Sequence, residues 1–482
     1  MKRPIYDSLR QIAGRGYQSW HMPGHKGGQL FSLDQLYALD VTELEETDNL
    51  QRPVGIIREA EQRMSAFFGA EESFFSVNGS TGGILAAIAA VCRPGDRIIA
   101  CRNAHKSFFN ACIHVGVQPI YVQPEIIEPF GIPGGVLPEQ VKTILQNNPE
   151  VKGMYLTSPT FEGVVTDIAE IAELLHEQNK VLLVDEAHGA HFCCIPGFPK
   201  SALSMGADIV VQSLHKTLPS PTQTAMVHIQ GSRISQDRMR LALNAFQSTS
   251  PSYIFLAAMD YCRAFLEGQP KEFFQSYRDM LMEYREKLQR VPSFILLEKR
   301  EQRWDLDPAK IVLHSRAKVS GSALAHCLRK DYGIELEGAF GGNLVGISTI
   351  ADSRESFQQF YQGIRALDSR IQSGDKTLFE KSGNFNKKEF ENNQNYDIIE
   401  LPKVSRTLRD AFYRPYEAVS LAQARGRVSA AFVTPYPPGI PIVCPGEFLS
   451  ERELSVIQEA LGRGEDVLGM EGQGEILVLS EY

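Results

Sequence analysis

Three short stretches place reactive side chains directly after apolar runs. The first is Ser76-Val77-Asn78-Gly79-Ser80-Thr81-Gly82-Gly83, which opens an apolar helical stretch. Glycines let the backbone approach a ligand closely, and the N–H groups of a helix start favour an anion such as phosphate. Ser80 and Thr81 add hydroxyl donors. A capped helix start with a flexible turn has the same composition. The spacing fits neither a Walker A loop nor GxGxxG.

The second stretch is Val181-Leu182-Leu183-Val184-Asp185-Glu186-Ala187-His188-Gly189-Ala190-His191. An apolar strand ending in Asp185 sets a carboxylate at the ligand edge of a sheet. There it can hold a metal, act as a base or pair with a protonated ring nitrogen. The His188-x-x-His191 spacing raises a zinc alternative, which Gly189 and the want of a clear third ligand weaken. The third stretch is Gln212-Ser213-Leu214-His215-Lys216-Thr217. A lysine at the end of a buried strand is partly desolvated, which lowers its pKa and frees the amine for Schiff-base formation. An anion cradle, an acid and a lysine on one rim are the three parts that pyridoxal phosphate requires.

The elements that must carry these residues are legible as a pattern. Candidate strands are Ser73–Val77, Arg97–Cys101, Pro119–Val122, Gly153–Thr157, Val181–Val184 and Asp208–Gln212, with helical segments such as Thr166–Gln178 between them. Continuous apolar strands alternating with helices predict a mainly parallel sheet covered on both faces. Ligands of such sheets sit beyond the carboxyl ends of the strands. Residues 266–300 read as one long charged helix, followed by strand-like pieces at Ile311–His314 and Leu344–Ile350. Residues 371–396 are polar and read as a linker, and the turn-rich TPYPPGIPIVCPGE falls in a C-terminal domain.

The chain has 482 residues, enough for about two to four folding units. Its net charge of −9 leaves no broad basic surface for nucleic acid or anionic lipid. The longest apolar stretch, Ile84 to Cys92, is far short of the roughly 20 residues of a membrane span, and no apolar run follows the early basic residues as a secretory signal would require. Eight scattered cysteines without a CxxC pair fit reduced thiols and a cytoplasmic setting.

Several motifs resemble the fold-type I pyridoxal-phosphate enzymes: SxHK at Ser213–Lys216, DEAHG at Asp185–Gly189, NGST at Asn78–Thr81 and NAHKS at Asn103–Ser107. HMPGHKGG at His21–Gly28, ELEETDNL at Glu43–Leu50 and PYPPGIPIVCPGE at Pro435–Glu447 narrow the resemblance to the ornithine/lysine/arginine decarboxylase family. That resemblance implies Lys216 as the Schiff-base lysine and Asp185 as the partner of the pyridine nitrogen. It implies His105 stacked on one ring face and Ala187 packed against the other. Ser80, Thr81, Ser213 and His215 would hold the phosphate, with Ser158 and His188 close by. Some longer members have tryptophan where this chain has His188. Glu447 would read the distal cation of the substrate.

The implied architecture is an α/β, aspartate-aminotransferase-like fold of type I with a mainly parallel central sheet. A smaller α+β domain and a C-terminal α+β domain complete it. The expected boundaries are an N-terminal dimerisation arm at 1–35, a large cofactor domain at 36–265, a small domain at 266–370, the linker at 371–396 and the C-terminal domain at 397–482. The start so close to PGHKG resembles the short form, without the receiver-like domain of longer members. The implied reaction is decarboxylation of arginine, lysine or ornithine to agmatine, cadaverine or putrescine, in a homodimer or higher homo-oligomer. An aminotransferase or aldolase would keep Lys216, Asp185 and the cradle, and a silent cofactor-binding regulator is a further alternative. The HK pair and the terminal motifs favour the decarboxylase.

Overall fold

The computed structural model describes residues 9, 11–30, 36–301, 303–317, 319–380, 401–436, 439–462, 466–471 and 474–480. Its centre is a seven-stranded sheet of β1 (Glu72–Ser76), β2 (Arg97–Cys101), β3 (Gln118–Val122), β4 (Gly153–Thr157), β5 (Val181–Asp185), β6 (Ile209–Ser213) and β7 (Ala225–Ile229). The spatial order is β1-β7-β6-β5-β4-β2-β3. Six strands run parallel and lie within a residue or so of their expected positions. The seventh, β7, is antiparallel to both neighbours, pairing Ser213 with Ala225 and Ser76 with Ala225 on its two sides. Sequence reading missed β7. Only residues 218–224 separate it from the helical turn Leu214–Thr217, too few for the crossover that a parallel neighbour needs.

Period-two alternation sorts the sheet's side chains into two cores. Phe75, Ile99, Leu182, Val184 and Val210 enter one cluster, and Phe74, Ile98, Val181, Leu183 and Val211 enter the other. Both faces are therefore dry, which explains the unbroken apolar runs. On the second face lies α1 (Gly79–Val91), apolar nearly all round. At Gly83 a Cβ would stand 2.9 Å from Val227 Cγ2 and 3.0 Å from Val211 Cγ1, so only glycine lets α1 sit this close to the sheet. Next come α2 (Lys106–Val115), capped by His105, and α3 (Ile168–His176), capped by Asp167 within the expected 166–178 segment.

The single helix expected over 266–300 is instead α4 (Tyr253–Glu267), α5 (Lys271–Gln289) and a strand, β8 (Phe294–Leu296). The break falls at Gly268-Gln269-Pro270. Pro270 has no N–H for the preceding turn, and it starts α5 as its N-cap. Next, β9 (Lys310–Ser315), β10 (Gly338–Phe340) and β11 (Asn343–Ile347) join β8 in an antiparallel sheet of order β8-β9-β11-β10. Helices α6 (Gly321–Tyr332) and α7 (Arg354–Gln372) accompany it. The N-terminal arm joins this unit: Gln18–Trp20 pairs in parallel with Ile334–Leu336. Trp20 is fully buried and stacks on Phe360 at 4.2 Å.

The first part of the expected linker is helical, through the end of α7 and Lys376–Glu380, and residues 381–400 lie outside the described residues. Beyond them, β12 (Tyr416–Ser420) and β13 (Glu475–Leu479) pair antiparallel beside α8 (Glu451–Gly462). Val433, Val443, Leu449, Ile457, Ile476 and Val478 give this α+β unit its own core.

Candidate active site

Beyond the carboxyl ends of β1, β2, β4, β5 and β6 opens a cavity of about 1550 Å³. Asn78, Gly79, Ser80 and Thr81 line it where α1 begins, Asn103 and His105 where α2 begins, and Asp185, Ala187 and His188 after β5. His215 and Lys216 line it after β6. Thus Ser80, Thr81, His105, Asp185, Ala187, His188, His215 and Lys216, all singled out from the sequence, share one cavity. The opposite walls come from the arm (His21 to Lys26), from Glu335, Glu337 and Asp352 of the small unit, and from Ile440.

Each polar group has a defined setting. Asp185 Oδ2 accepts a 2.7 Å hydrogen bond from the buried Tyr155 hydroxyl, and its Oδ1 accepts from Ala187 N at 3.1 Å. Burial first, and then the adjacent Asp185 charge, hold the Tyr155 phenol well above its ordinary pKa, so it stays a donor. His105 Nδ1 accepts from Ser107 N, while His215 Nδ1 donates to the Thr224 carbonyl. Lys216 is half-buried, and loss of solvent around its amine lowers its pKa against the opposing pull of Asp185 and Glu337. Its Nζ lies 3.0 Å from His188 Nε2.

Three residues singled out from the sequence stand behind the cavity wall. Ser213 donates to Ser80 Oγ at 2.9 Å, Ser158 Oγ accepts from Thr166 N, and Glu447 has a different partner from the one expected. Glu447 is buried and bonds Arg102 Nη2 at 3.0 Å and Cys444 N at 2.7 Å. Arg102 also donates to the Pro441 and Ile442 carbonyls, so this pair ties the C-terminal unit to the end of β2. The two histidines of the zinc alternative diverge: His188 reaches lysines, whereas His191 Nε2 bonds Asp307 Oδ1. Among the described residues no three metal-ligating side chains converge.

Sequence reading missed Tyr155, Lys26, Glu337 and Lys310. Tyr155 lies inside an apolar strand, with only pairing to β5 to bring it near Asp185. Lys26 is buried and donates to the Ser19, His21 and Ile347 carbonyls. Glu337 accepts from Met22 N at 2.7 Å. The one available signal for Lys310 was a cation opening a buried strand.

A mainly parallel sheet with a strand-end lysine, a strand-end carboxylate and a helix start converging on one rim defines a fold-type I enzyme. The family profile for the major domain of Orn/Lys/Arg decarboxylases matches residues 3–315, and that for the family's C-terminal domain matches 391–460. The chain belongs to the Orn/Lys/Arg decarboxylase family and is a decarboxylase. It is 32% identical over 482 residues to an arginine decarboxylase of Bacillus subtilis, covering 97% of this chain and 95% of the relative. A second B. subtilis protein, the uncharacterized YaaO, is 36% identical over 481 residues, covering 97% and 96%. The solved lysine decarboxylase A of Pseudomonas aeruginosa superimposes with a TM-score of 0.81 at 22% identity, over 99% of this chain and 80% of that one, a likeness of fold.

Proposed function

We propose that the chain uses pyridoxal phosphate to decarboxylate a basic L-amino acid, with arginine the first candidate because several relatives are named arginine decarboxylases. The observation that carries this reading is the make-up of the cavity. It brings Lys216, Asp185 and the start of α1 together with the acids Glu335, Glu337 and Asp352 of the small unit. Glu335 is engaged by Arg329 at 2.8 Å and Asp352 faces Lys26. Among the described residues the Glu337 side chain accepts just a backbone N–H from the arm, so it is the acid best suited to a substrate cation.

The residues present fit the cofactor. The start of α1 with Ser80 and Thr81 suits a phosphate, and Asp185, fixed by Tyr155 and Ala187 N, suits a protonated ring nitrogen. Asn103 lines the same cavity, and its Oδ1 is buried with no hydrogen-bond partner among the described residues. Lys216 would hold the aldehyde, with His105 and Ala187 on the two ring faces. Pyridoxal phosphate, when bound, supplies an electron sink for the pair released as CO2 leaves. Asp185 acts by keeping a negative charge fixed where a positive one must persist. Lys216, with a lowered pKa, supplies a neutral amine at the start and a proton at the end. The arm and small unit wall the cavity and limit water around Lys216.

Purified protein supplied with pyridoxal phosphate and arginine, lysine or ornithine in turn tests this reading through amine and CO2 formation. One amine, absent with Lys216→Ala, is the expected result. No product from any of the three would sink the reaction and bring an aminotransferase or aldolase forward. The same reading has the enzyme acting in the cytoplasm as a homodimer or higher homo-oligomer.

A further inference from the structure

His188 bridges two lysines. Its Nε2 lies 3.0 Å from Lys216 Nζ, and its Nδ1 lies 3.2 Å from Nζ of Lys310, at the start of β9. Lys310 is fully buried. An ammonium group can only donate, a neutral amine can also accept, and a neutral imidazole has one N–H and one bare nitrogen. The imidazole is neutral here: both its nitrogens meet amines, and burial together with the Lys216 and Lys310 charges drives its pKa well down. Both contacts are then hydrogen bonds only when one lysine donates to the bare nitrogen and the other accepts from the ring N–H as an amine. At least one of the two lysines is therefore a neutral amine, and when the other is an ammonium the trio holds one excess proton that the two can share.

The surroundings bear on both ends. Asp185 and Glu337 face Lys216; Asp307, Glu337, Glu162 and Lys26 face Lys310; His105 and His215 face His188. Burial brings Lys310 down to about 8, within reach of proton exchange near neutrality.

We propose that Lys310 is a positioning residue that acts through His188, storing the shared proton while Lys216 is a neutral amine and returning it when Lys216 must be an ammonium. The exchange balances without redox chemistry. Lys310 ammonium gives a proton to His188 Nδ1, while the Nε2 proton passes to the Lys216 lone pair. Lys310 is left as an amine, His188 as the other neutral tautomer and Lys216 as an ammonium. Both hydrogen bonds persist with donor and acceptor reversed. The use of this exchange in turnover rests on the decarboxylase reading, but its test reads the amine directly.

Full-length protein, freed of any bound aldehyde with hydroxylamine, is methylated with formaldehyde and cyanoborohydride across pH, and each lysine is quantified by mass spectrometry. The exposed Lys142 serves as the internal reference. Lys216 should label at lower pH than Lys142. With Lys310→Met the excess proton has only Lys216 to rest on, so labelling of Lys216 at pH 7 should slow about tenfold, equivalent to about one pH unit. Lys310→Arg keeps a permanent donor to Nδ1 but cannot release its proton. It should leave the Lys216 profile low while turnover falls at least about tenfold. An unchanged Lys216 profile in Lys310→Met, or the same shift in both variants, overturns the proposal. Should Lys310→Met fail to fold, His188→Leu, which cuts the bridge, must shift the profile in the same direction. Protein that shows these shifts yet decarboxylates none of the three amino acids would uphold proton sharing and overturn the proposed reaction.

Discussion

At the scale of single residues, side chains act here through what surrounds them. Glu337→Gln keeps an acceptor for Met22 N and removes the charge offered to a cationic substrate. Losing one charged hydrogen-bond partner costs about 1.5–3 kcal/mol, so KM should rise roughly 10- to 100-fold with a smaller effect on kcat. Steady-state kinetics with the accepted amino acid would check this, and an unchanged KM would remove Glu337 from the substrate site. His228 offers a second test, on stability. Buried between Ser73 Oγ and Gln212 Oε1, its ring is pushed down to about 3 by burial. Its folded value lies below the unfolded 6.5, so its contribution is complete above pH 6.5 and is lost as pH falls toward 3. Wild type should lose up to about 1.4 kcal/mol more per pH unit over that window than His228→Gln. Urea melts at pH 7, 6 and 5 measure the difference, and parallel slopes would contradict it. Lys216, Asp185 and the Ser80–Thr81 cradle were legible because each ends an apolar run. Lys310 and Glu337 were not, because only the packing of a distant sheet and the arm brings them to the same cavity.

Among the elements, the arm is the one whose position most directly shapes the cavity. Gly24 N donates to the His215 carbonyl at 2.7 Å, and Thr349 Oγ1 donates to the Gly24 carbonyl at 2.9 Å. A Cβ on Gly24 would stand 2.8 Å from Leu218 O and 2.9 Å from Thr217 C, backbone atoms next to Lys216 that cannot swing aside. Gly24→Ala should therefore lift the arm and reduce kcat/KM at least about tenfold, since displacements of an ångström at a reacting centre cost rates of that order. A cooperative thermal melt within a few degrees of wild type would separate this from unfolding. Full activity in Gly24→Ala would mean that the arm's seat is not needed. The same scale explains two misread elements. The apolar run at Ala225–Ile229 carries no mark of direction, and the shortness of its connection makes it antiparallel. The charged helical pattern on both sides of Pro270 is real, but proline at that point divides it between two helices.

For the whole molecule, the notable surface is the stretch from Leu36 to Ile56. Tyr37 is 95% exposed and Val54 81%, with Leu44 and Ile56 also well exposed. Large apolar side chains gathered on one stretch are usual where another protein surface covers them. In the proposed homodimer or higher homo-oligomer a second copy of the chain would supply that cover. Sedimentation should give at least twice the 53.7 kDa chain mass, and Tyr37→Asp with Val54→Asp should reduce it. A monomeric wild type would contradict the assembly. Within one chain, the buried Arg102–Glu447 pair gives the C-terminal unit a fixed seat beside β2. Unpairing such groups costs about 3–5 kcal/mol, which explains why a carboxylate expected at the substrate serves the fold.

The arm's attachment also has a cost in time. Met22 bonds Glu337, 315 positions further along the chain, and its neighbouring strand waits about as long for Ile334–Leu336. At roughly 5–20 residues per second of synthesis, that gap is on the order of 15–60 s. During that interval the nascent chain can build its central sheet but cannot close the cavity. A segment made some 315 residues ahead of its partners is thus among the last to find its place, and chaperone demand should be greatest while Trp20 still lacks the aromatic neighbours that will bury it.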